Sequence, residues 1–127
     1  MSTMHTDALE YAAGDNVKKV ADSELEEEIY ERQVRICKAF ANPVRLRILD
    51  LLSAGPQSGT ALQGALGITN ANLSQHLSVL RSAGVVVTRR EGKQIYCSLA
   101  MPEVKQACQL IRNVLRAQVR TSHRLGL

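Results

Sequence analysis

Aromatic residues and long apolar runs are scarce in this sequence of 127 residues. Only 3% of the residues are aromatic and tryptophan is absent. This argues against a surface for single-stranded nucleic acid, because such surfaces stack bases on a series of exposed rings. No apolar run approaches the length of a membrane span, and the N-terminus lacks the basic and apolar regions of a secretory signal. We therefore expect a cytoplasmic protein without membrane contact.

The sequence also lacks the residue patterns of an enzyme. It shows neither a nucleophile paired with a base nor a glycine-rich loop for phosphate. Its three histidines, His5, His76 and His123, are scattered along the chain. His76 stands at the edge of a leucine stripe and is better explained as a packed, hydrogen-bonded histidine than as a metal ligand or base reader. We predict that the protein is not an enzyme.

Charge is distributed very unevenly along the chain. The formal net charge is +4, yet residues 1–31 carry −7 and the remainder carries +11, with Asp50, Glu91 and Glu103 as its only acids. The composition, 45% hydrophobic and 22% charged, is that of one soluble globular domain. A body this basic favours a polyanion partner, nucleic acid before an acidic protein surface.

Periodicity divides the chain into three parts. Residues 1–22 show little periodicity and are predicted to form a flexible N-terminal arm. Residues 23–120 form the predicted folded domain, and residues 121–127 a C-terminal tail. In the domain, Ser23 with Glu26 makes a capping box at the start of a first helix.

Five helices and a β-hairpin are predicted in that domain. Asn42-Pro43 marks the start of the second helix, and Thr69 or Asn70 can cap the fourth. Beyond Gly84 the hydrophobic period changes from near four to two, which indicates two short strands with Gly92 in the turn. The predicted bounds are 23–40 for the first helix, 60–65 for the third, 85–90 and 94–99 for the strands, and about 104–119 for the last helix.

The fourth helix lies within "ITNANLSQHLSVLRSAG", residues 68–84, and has one leucine face and one short polar face. With the short third helix it makes a helix-turn-helix, whose second helix lies in the major groove of DNA. Short polar side chains let the helix approach base edges, and Gln or Asn can bond adenine bidentately. No carboxylate occurs between Asp50 and Glu91, whereas an ordinary solvent-facing helix usually carries Glu and Lys. The candidate DNA-binding residues are Asn70, Asn72, Ser74, Gln75, Ser78 and Arg81.

Basic residues surround the tip of the predicted hairpin. Arg89, Arg90 and Lys93 could reach backbone phosphates or the minor groove beside the fourth helix. Solvated charges at a hairpin tip are the alternative. Next to a helix-turn-helix, a DNA-contacting wing is the better interpretation.

Three segments together resemble one family. "KAFANPVRLRILDLLSAG", "LSQHLSVLRSAGVV" and "RREGKQIYCSL" are similar to the arsenical-repressor (ArsR/SmtB) family of bacterial winged-helix transcription regulators. The resemblance covers about residues 36–115. It implies a mainly α fold with a small β-hairpin, a winged helix-turn-helix and a homodimer through the first and last helices. It also implies that each subunit presents the fourth helix to half of an inverted repeat. Metal binding or cysteine modification would then lower DNA affinity.

The effector sites that the family uses are not matched here. "GPQSGTAL" lacks the cysteine pair of one metal site, and the last helix offers Glu103 and Cys108 but no histidine until His123. Members that sense reactive sulfur generally place one thiol straight after the "RLRIL" segment and another late in the last helix, and this chain has Asp50 and Arg116 near those places. The cofactor is therefore unknown, with a thiophilic metal or metalloid ion as one candidate.

Three thiols remain as candidates for metal or thiol sensing: Cys37, Cys97 and Cys108. Soft thiolates suit thiophilic ions, and the family dimer makes Cys37 and Cys108 the pair expected to approach each other. The alternative is that each is a small, inert core residue.

The predicted function is a homodimeric, sequence-specific DNA-binding repressor released by a thiophilic metal(loid) or thiol-modifying signal. One alternative is a constitutive repressor or architectural factor without a small effector, and another is a module that binds an acidic protein.

Glutamates in the first helix and arginines spaced by four in the last helix could form ion pairs at the dimer interface. The alternative is that both stripes are solvated faces.

Overall fold

The computed structural model describes residues 8–126. They divide into two compact units, one ending at Arg35 and the other starting at Ile36. The mainly helical fold with a small antiparallel sheet confirms the predicted fold class. The elements are α1 (Ala8–Phe40), α2 (Pro43–Leu52), β1 (Gln57–Ser58), α3 (Gly59–Leu66), α4 (Asn70–Ser82), β2 (Val86–Glu91), β3 (Gln94–Leu99) and α5 (Pro102–Arg124).

The described part of the first unit is helical throughout. The predicted helix start at Ser23 is wrong, because α1 begins at Ala8 and Ser23 lies in its interior. Alanine, leucine, glutamate and lysine are frequent in residues 8–31, and their helix propensity carries the helix past the apparent capping box. Residues 8–22, predicted as a flexible arm, are thus helical, whereas residues 1–7 lie outside the described residues. Side chains 17–35 are all exposed.

The second unit has its core among α2, α3 and α4. Asn42 caps α2 as predicted, because its Oδ1 accepts hydrogen bonds from the backbone N–H groups of Val44 (2.9 Å) and Arg45 (3.1 Å). The spacing of leucines and isoleucines turns one face of each helix inward. The buried residues are Ala39, Ile48, Leu49, Leu52, Leu62, Leu73, Leu77, Leu80, Val85, Val86, Cys97 and Val104.

The predicted hairpin is present and gains a third strand. β2 and β3 pair antiparallel, with Arg89 opposite Tyr96, and Gly92 adopts a positive φ of 61° in the turn. β1 pairs with the other edge of β3, so the strand order is β1-β3-β2. Two residues are too few to produce a periodic pattern, which is why sequence periodicity did not reveal β1.

α5 is longer than predicted. It continues to Arg124, so the first residues of the predicted tail, 121–127, are helical. No glycine or proline interrupts the sequence between Pro102 and Gly126, and nothing local ends the helix earlier. Across residues 8–126, no helix has the length and apolar character needed to cross a membrane.

Candidate DNA interface

The polar face of α4 is open to solvent. Leu73, Leu77 and Leu80 are buried and fix the helix to the core. Thr69 caps the helix, because its Oγ1 accepts a hydrogen bond from the N–H of Asn72 at 3.1 Å. The structure brings all of the predicted contact residues of this helix to exposed positions. They are Asn70, Asn72, Ser74, Gln75, Ser78 and Arg81.

The turn between α3 and α4 sets the position of that face. Gly67 ends α3 in the left-handed conformation, with φ 64°, and its N–H donates to the carbonyl of Gln63 at 2.8 Å. A side chain is disfavoured at such a φ, so glycine suits this turn. Leu62 of α3 is 1% exposed and Leu73 of α4 is 2% exposed, both in the core cluster. The two helices therefore pack together as a helix-turn-helix with the polar face of α4 outward.

Arg45 connects α4 with the end of α1, a role that the sequence analysis missed. Its Nε donates to the carbonyl of Ala39 at 2.7 Å and its Nη2 to that of Lys38 at 3.1 Å. Its Nη1 lies 3.4 Å from Nδ1 of His76 in α4. Since a guanidinium only donates, Nδ1 is the acceptor in this contact. His76 is half-buried, and hydrophobic periodicity gave no signal for this long-range contact.

The stability of the protein should fall on mild acidification because of His76. Burial first, and the charge of Arg45 second, lower the pKa of its imidazole. Below the ordinary pKa of histidine, the unfolded chain then binds a proton that the folded chain does not, so the free energy of unfolding decreases as pH falls from about 7 to about 5. Urea unfolding of the protein and of His76→Gln across this range measures the effect. Parallel pH profiles for the two proteins would contradict it.

The wing presents its three predicted basic residues at exposed positions. One of them, Arg89, has close neighbours: its Nη2 lies 3.1 Å from Oε1 of Glu91, and its guanidinium lies 5.7 Å from the ring centroid of Tyr96. Glu91 therefore offsets part of the positive charge that Arg89, Arg90 and Lys93 supply. A further contact joins the wing to α4, since Nη1 of Arg81 donates to Oγ1 of Thr88 at 3.4 Å.

The three thiols occupy different environments. Cys37 is exposed, Cys97 is buried and Cys108 is half-buried. Burial raises the pKa of Cys97 and of Cys108, with nearby arginine charges opposing the shift in each. Among the residues that the structure describes, no three metal-binding side chains cluster. The thiols of one chain thus do not fit a three-thiolate metal site.

A polar recognition helix seated on a helix-turn-helix, with a basic wing beside it, defines a winged helix-turn-helix DNA-binding regulator. Residues 40–89 match a family model of a helix-turn-helix domain. Rv0081 of Mycobacterium tuberculosis, an uncharacterized HTH-type transcriptional regulator, is 40% identical over 90 residues, 70% of this chain and 79% of that protein. The chain belongs to the arsenical-repressor (ArsR) family of winged-helix transcription regulators.

Solved structures agree with this assignment. The crystal structure of Rv0081 has a TM-score of 0.67 at 38% identity, covering 75% of this chain and 95% of that one. The solution structure of Mb0332 from Mycobacterium bovis is a homodimeric winged helix-turn-helix DNA-binding domain of a possible ArsR-family regulator. It has a TM-score of 0.69 at 34% identity and covers 77% and 89% of the two chains. The transcriptional repressor BigR from Xylella fastidiosa has a TM-score of 0.62 at 32% identity, covering 73% and 94%.

Proposed function

We propose that the protein is a homodimeric, sequence-specific transcriptional repressor. The observation that carries this proposal is the exposed face of α4, which combines short amides, hydroxyls and one arginine with no carboxylate. Amide side chains read base edges, and hydroxyls let the helix backbone come close to them. A helix face that meets only solvent normally carries both acidic and basic residues, so the lack of carboxylates on this face favours contact with a polyanion.

The candidate residues divide into two roles. Asn70, Asn72 and Gln75 carry the amides that can bond bases, and Ser74 and Ser78 are small enough to keep the helix close. The cations Arg81, Arg89, Arg90 and Lys93 would contact phosphates and fix the register of the protein on the duplex.

A second copy of the chain would cover the apolar residues of α5. Leu110, Ile111, Val114, Leu115 and Val119 are 50–65% exposed, which is a large apolar stripe for a surface that meets only water. The related domain Mb0332 is a homodimer. Two-fold symmetry would then place the two α4 helices about 34 Å apart, one turn of DNA. The pairing of first-helix glutamates with α5 arginines across this interface stays a prediction.

Footprinting on genomic fragments tests the proposal. We expect protection of an inverted repeat whose half-sites are one helical turn apart, and an affinity that falls steeply with salt because phosphate contacts release counterions. Binding without sequence preference would indicate an architectural factor instead. No duplex binding at low salt would contradict every DNA-binding role and favour an acidic protein partner.

A thiol-directed signal is our candidate for release from the operator. Exposure makes Cys37 the thiol that a modifying agent reaches first, whereas the raised pKa of Cys108 keeps that thiol protonated and less nucleophilic. A thiophilic ion held by three thiolates would need thiols of two copies, because no three metal-binding side chains cluster among the described residues of one chain. The alternative is a constitutive repressor, for which no ion, oxidant or reactive sulfur compound changes the operator affinity.

A further inference from the structure

A groove lies between α2 and α5, in the part of the second unit that the proposed DNA contacts do not use. Its volume is about 280 Å³, just below the range of about 300–1,000 Å³ for typical small-molecule pockets. Leu49 and Val104, which are 2% and 7% exposed, form part of its apolar lining, together with Leu99 and Cys108. Burial raises the pKa of the Cys108 thiol, so this side chain adds no negative charge to the groove. The groove is therefore sized for a small, partly apolar molecule.

Positive charge surrounds the apolar part of the groove. Lys105, Arg112 and Arg116 line it, and Asp50 is the one carboxylate among the lining residues. Nη2 of Arg112 lies 3.3 Å from Oδ1 of Asp50, so Arg112 already has a carboxylate partner within the chain. Nη1 of Arg116 donates to Oδ1 of Asn113 at 3.4 Å, a neutral partner. The lining keeps a net charge of +2, which an anion would reduce.

We propose that this groove binds a small organic carboxylate with a short apolar tail, and that binding changes the operator affinity of the repressor. The carboxylate competes with Asp50 for Arg112, while the tail covers the leucine and valine side chains. The regulatory part rests on the proposed function. α2 packs on the helix-turn-helix, and α5 carries the apolar stripe assigned to the dimer. Two residues of that stripe, Ile111 and Leu115, also line the groove. A ligand between α2 and α5 therefore lies at the edge of the proposed dimer interface and would act on the spacing of the two α4 helices.

Calorimetric titration of the full-length protein with hexanoate tests the site without DNA. Hexanamide has the same tail without the charge, and acetate has the charge without the tail. We expect hexanoate to bind at least about tenfold more tightly than either, because only hexanoate satisfies both the guanidinium and the apolar lining. Equal affinities for hexanoate and hexanamide, or no binding of hexanoate, would overturn the proposal.

Two substitutions should shift the affinity in opposite directions. Arg112→Gln removes the anion's partner and should weaken hexanoate binding about tenfold, whereas Asp50→Asn removes its competitor and should strengthen binding about threefold. Arg124→Gln, which deletes the same charge at the end of the same helix, is the matched control and should leave the affinity unchanged. If Arg112→Gln fails to fold, Asp50→Asn still decides: an unchanged or weaker affinity contradicts the competition.

Operator binding in the presence of hexanoate separates the two parts of the proposal. A changed operator affinity, kept in Cys37→Ser, which removes the exposed thiol and leaves the groove residue Cys108 in place, supports regulation through the groove. Hexanoate binding without any effect on DNA overturns the regulatory part alone. A hexanoate affinity that declines as protein concentration rises would show that a second copy fills the groove, and overturns the ligand site. The calorimetric outcomes are independent of the footprint, which tests the repressor itself, whereas the operator-affinity outcomes use the duplex that the footprint identifies.

Discussion

Replacing Ser78 by glutamate should weaken operator binding about a hundredfold. Ser78 lies in the middle of the exposed face of α4, where no described side chain is acidic. A carboxylate there would face phosphates and base acceptors across a desolvated interface, and like-charge contacts of this kind cost several kcal/mol. We expect a loss of about 3 kcal/mol, which is a factor of about 100 in the dissociation constant. Fluorescence anisotropy on the footprinted duplex at fixed salt measures it.

Two control variants make this result specific to the position. Ser78→Ala removes the hydroxyl without adding charge and should weaken binding by less than about tenfold. Thr121→Glu adds the same charge at an exposed position of α5 and should have a small effect, because exposed charges farther than about 10 Å apart are screened at 0.1 M salt. Equal losses for the two glutamate variants would mean that net charge alone governs binding, and the assignment of α4 as the recognition helix would be wrong.

Local sequence signals were sufficient for the helix-turn-helix and the wing. The Asn42-Pro43 start and the Thr69 cap appear in the structure as predicted, with their side-chain hydrogen bonds to backbone N–H groups. The leucine face that the sequence predicts for the fourth helix is the buried face of α4, at Leu73, Leu77 and Leu80. These features depend on residues within one turn or one strand of each other, which is the range over which periodicity and capping act.

The contacts that the sequence did not predict join residues far apart along the chain. The contact of Arg45 with His76 joins residues 31 apart in sequence, and that of Arg112 with Asp50 joins residues that α2 and α5 bring together. Neither leaves a periodic signal. The start of α1 was misplaced for a different reason: a capping box is a local preference of about 1 kcal/mol, and the helix propensity of the residues on both sides outweighed it.

The predicted DNA-binding residues are all exposed, but exposure does not make them equivalent. Arg81 and Arg89 already have partners, Thr88 and Glu91, whose positions follow from strand register rather than from composition. The predicted sensing thiols differ even in exposure: Cys37 is exposed, Cys97 is buried and Cys108 is half-buried. The sequence identifies these side chains as thiols. The burial of Cys97 and Cys108 depends on how β3 and α5 pack against the core, which the sequence does not show.

Replacing Cys97 by serine should destabilise the protein markedly. Cys97 is 0% exposed and belongs to the core cluster, and burial raises the pKa of its thiol. The serine hydroxyl is more polar than the thiol, and at this buried site it would lose its hydrogen bonds to water. This should lower the free energy of unfolding by about 1–3 kcal/mol. Urea unfolding should show this loss for Cys97→Ser and a smaller one for Cys97→Ala, which leaves a small cavity but no polar atom. A serine variant as stable as the alanine variant would contradict the apolar environment.

This difference decides how thiol-directed release is tested. A triple serine variant would combine the loss of three thiols with a weakened core, so reduced operator binding would not identify a sensor. The variant Cys37→Ser, Cys97→Ala, Cys108→Ser removes every thiol while placing hydroxyls only at exposed or half-buried positions. We expect it to bind the operator as the parent does and to lose release by thiophilic ions and thiol-modifying agents. Normal release by this variant would exclude the cysteines as the sensing groups.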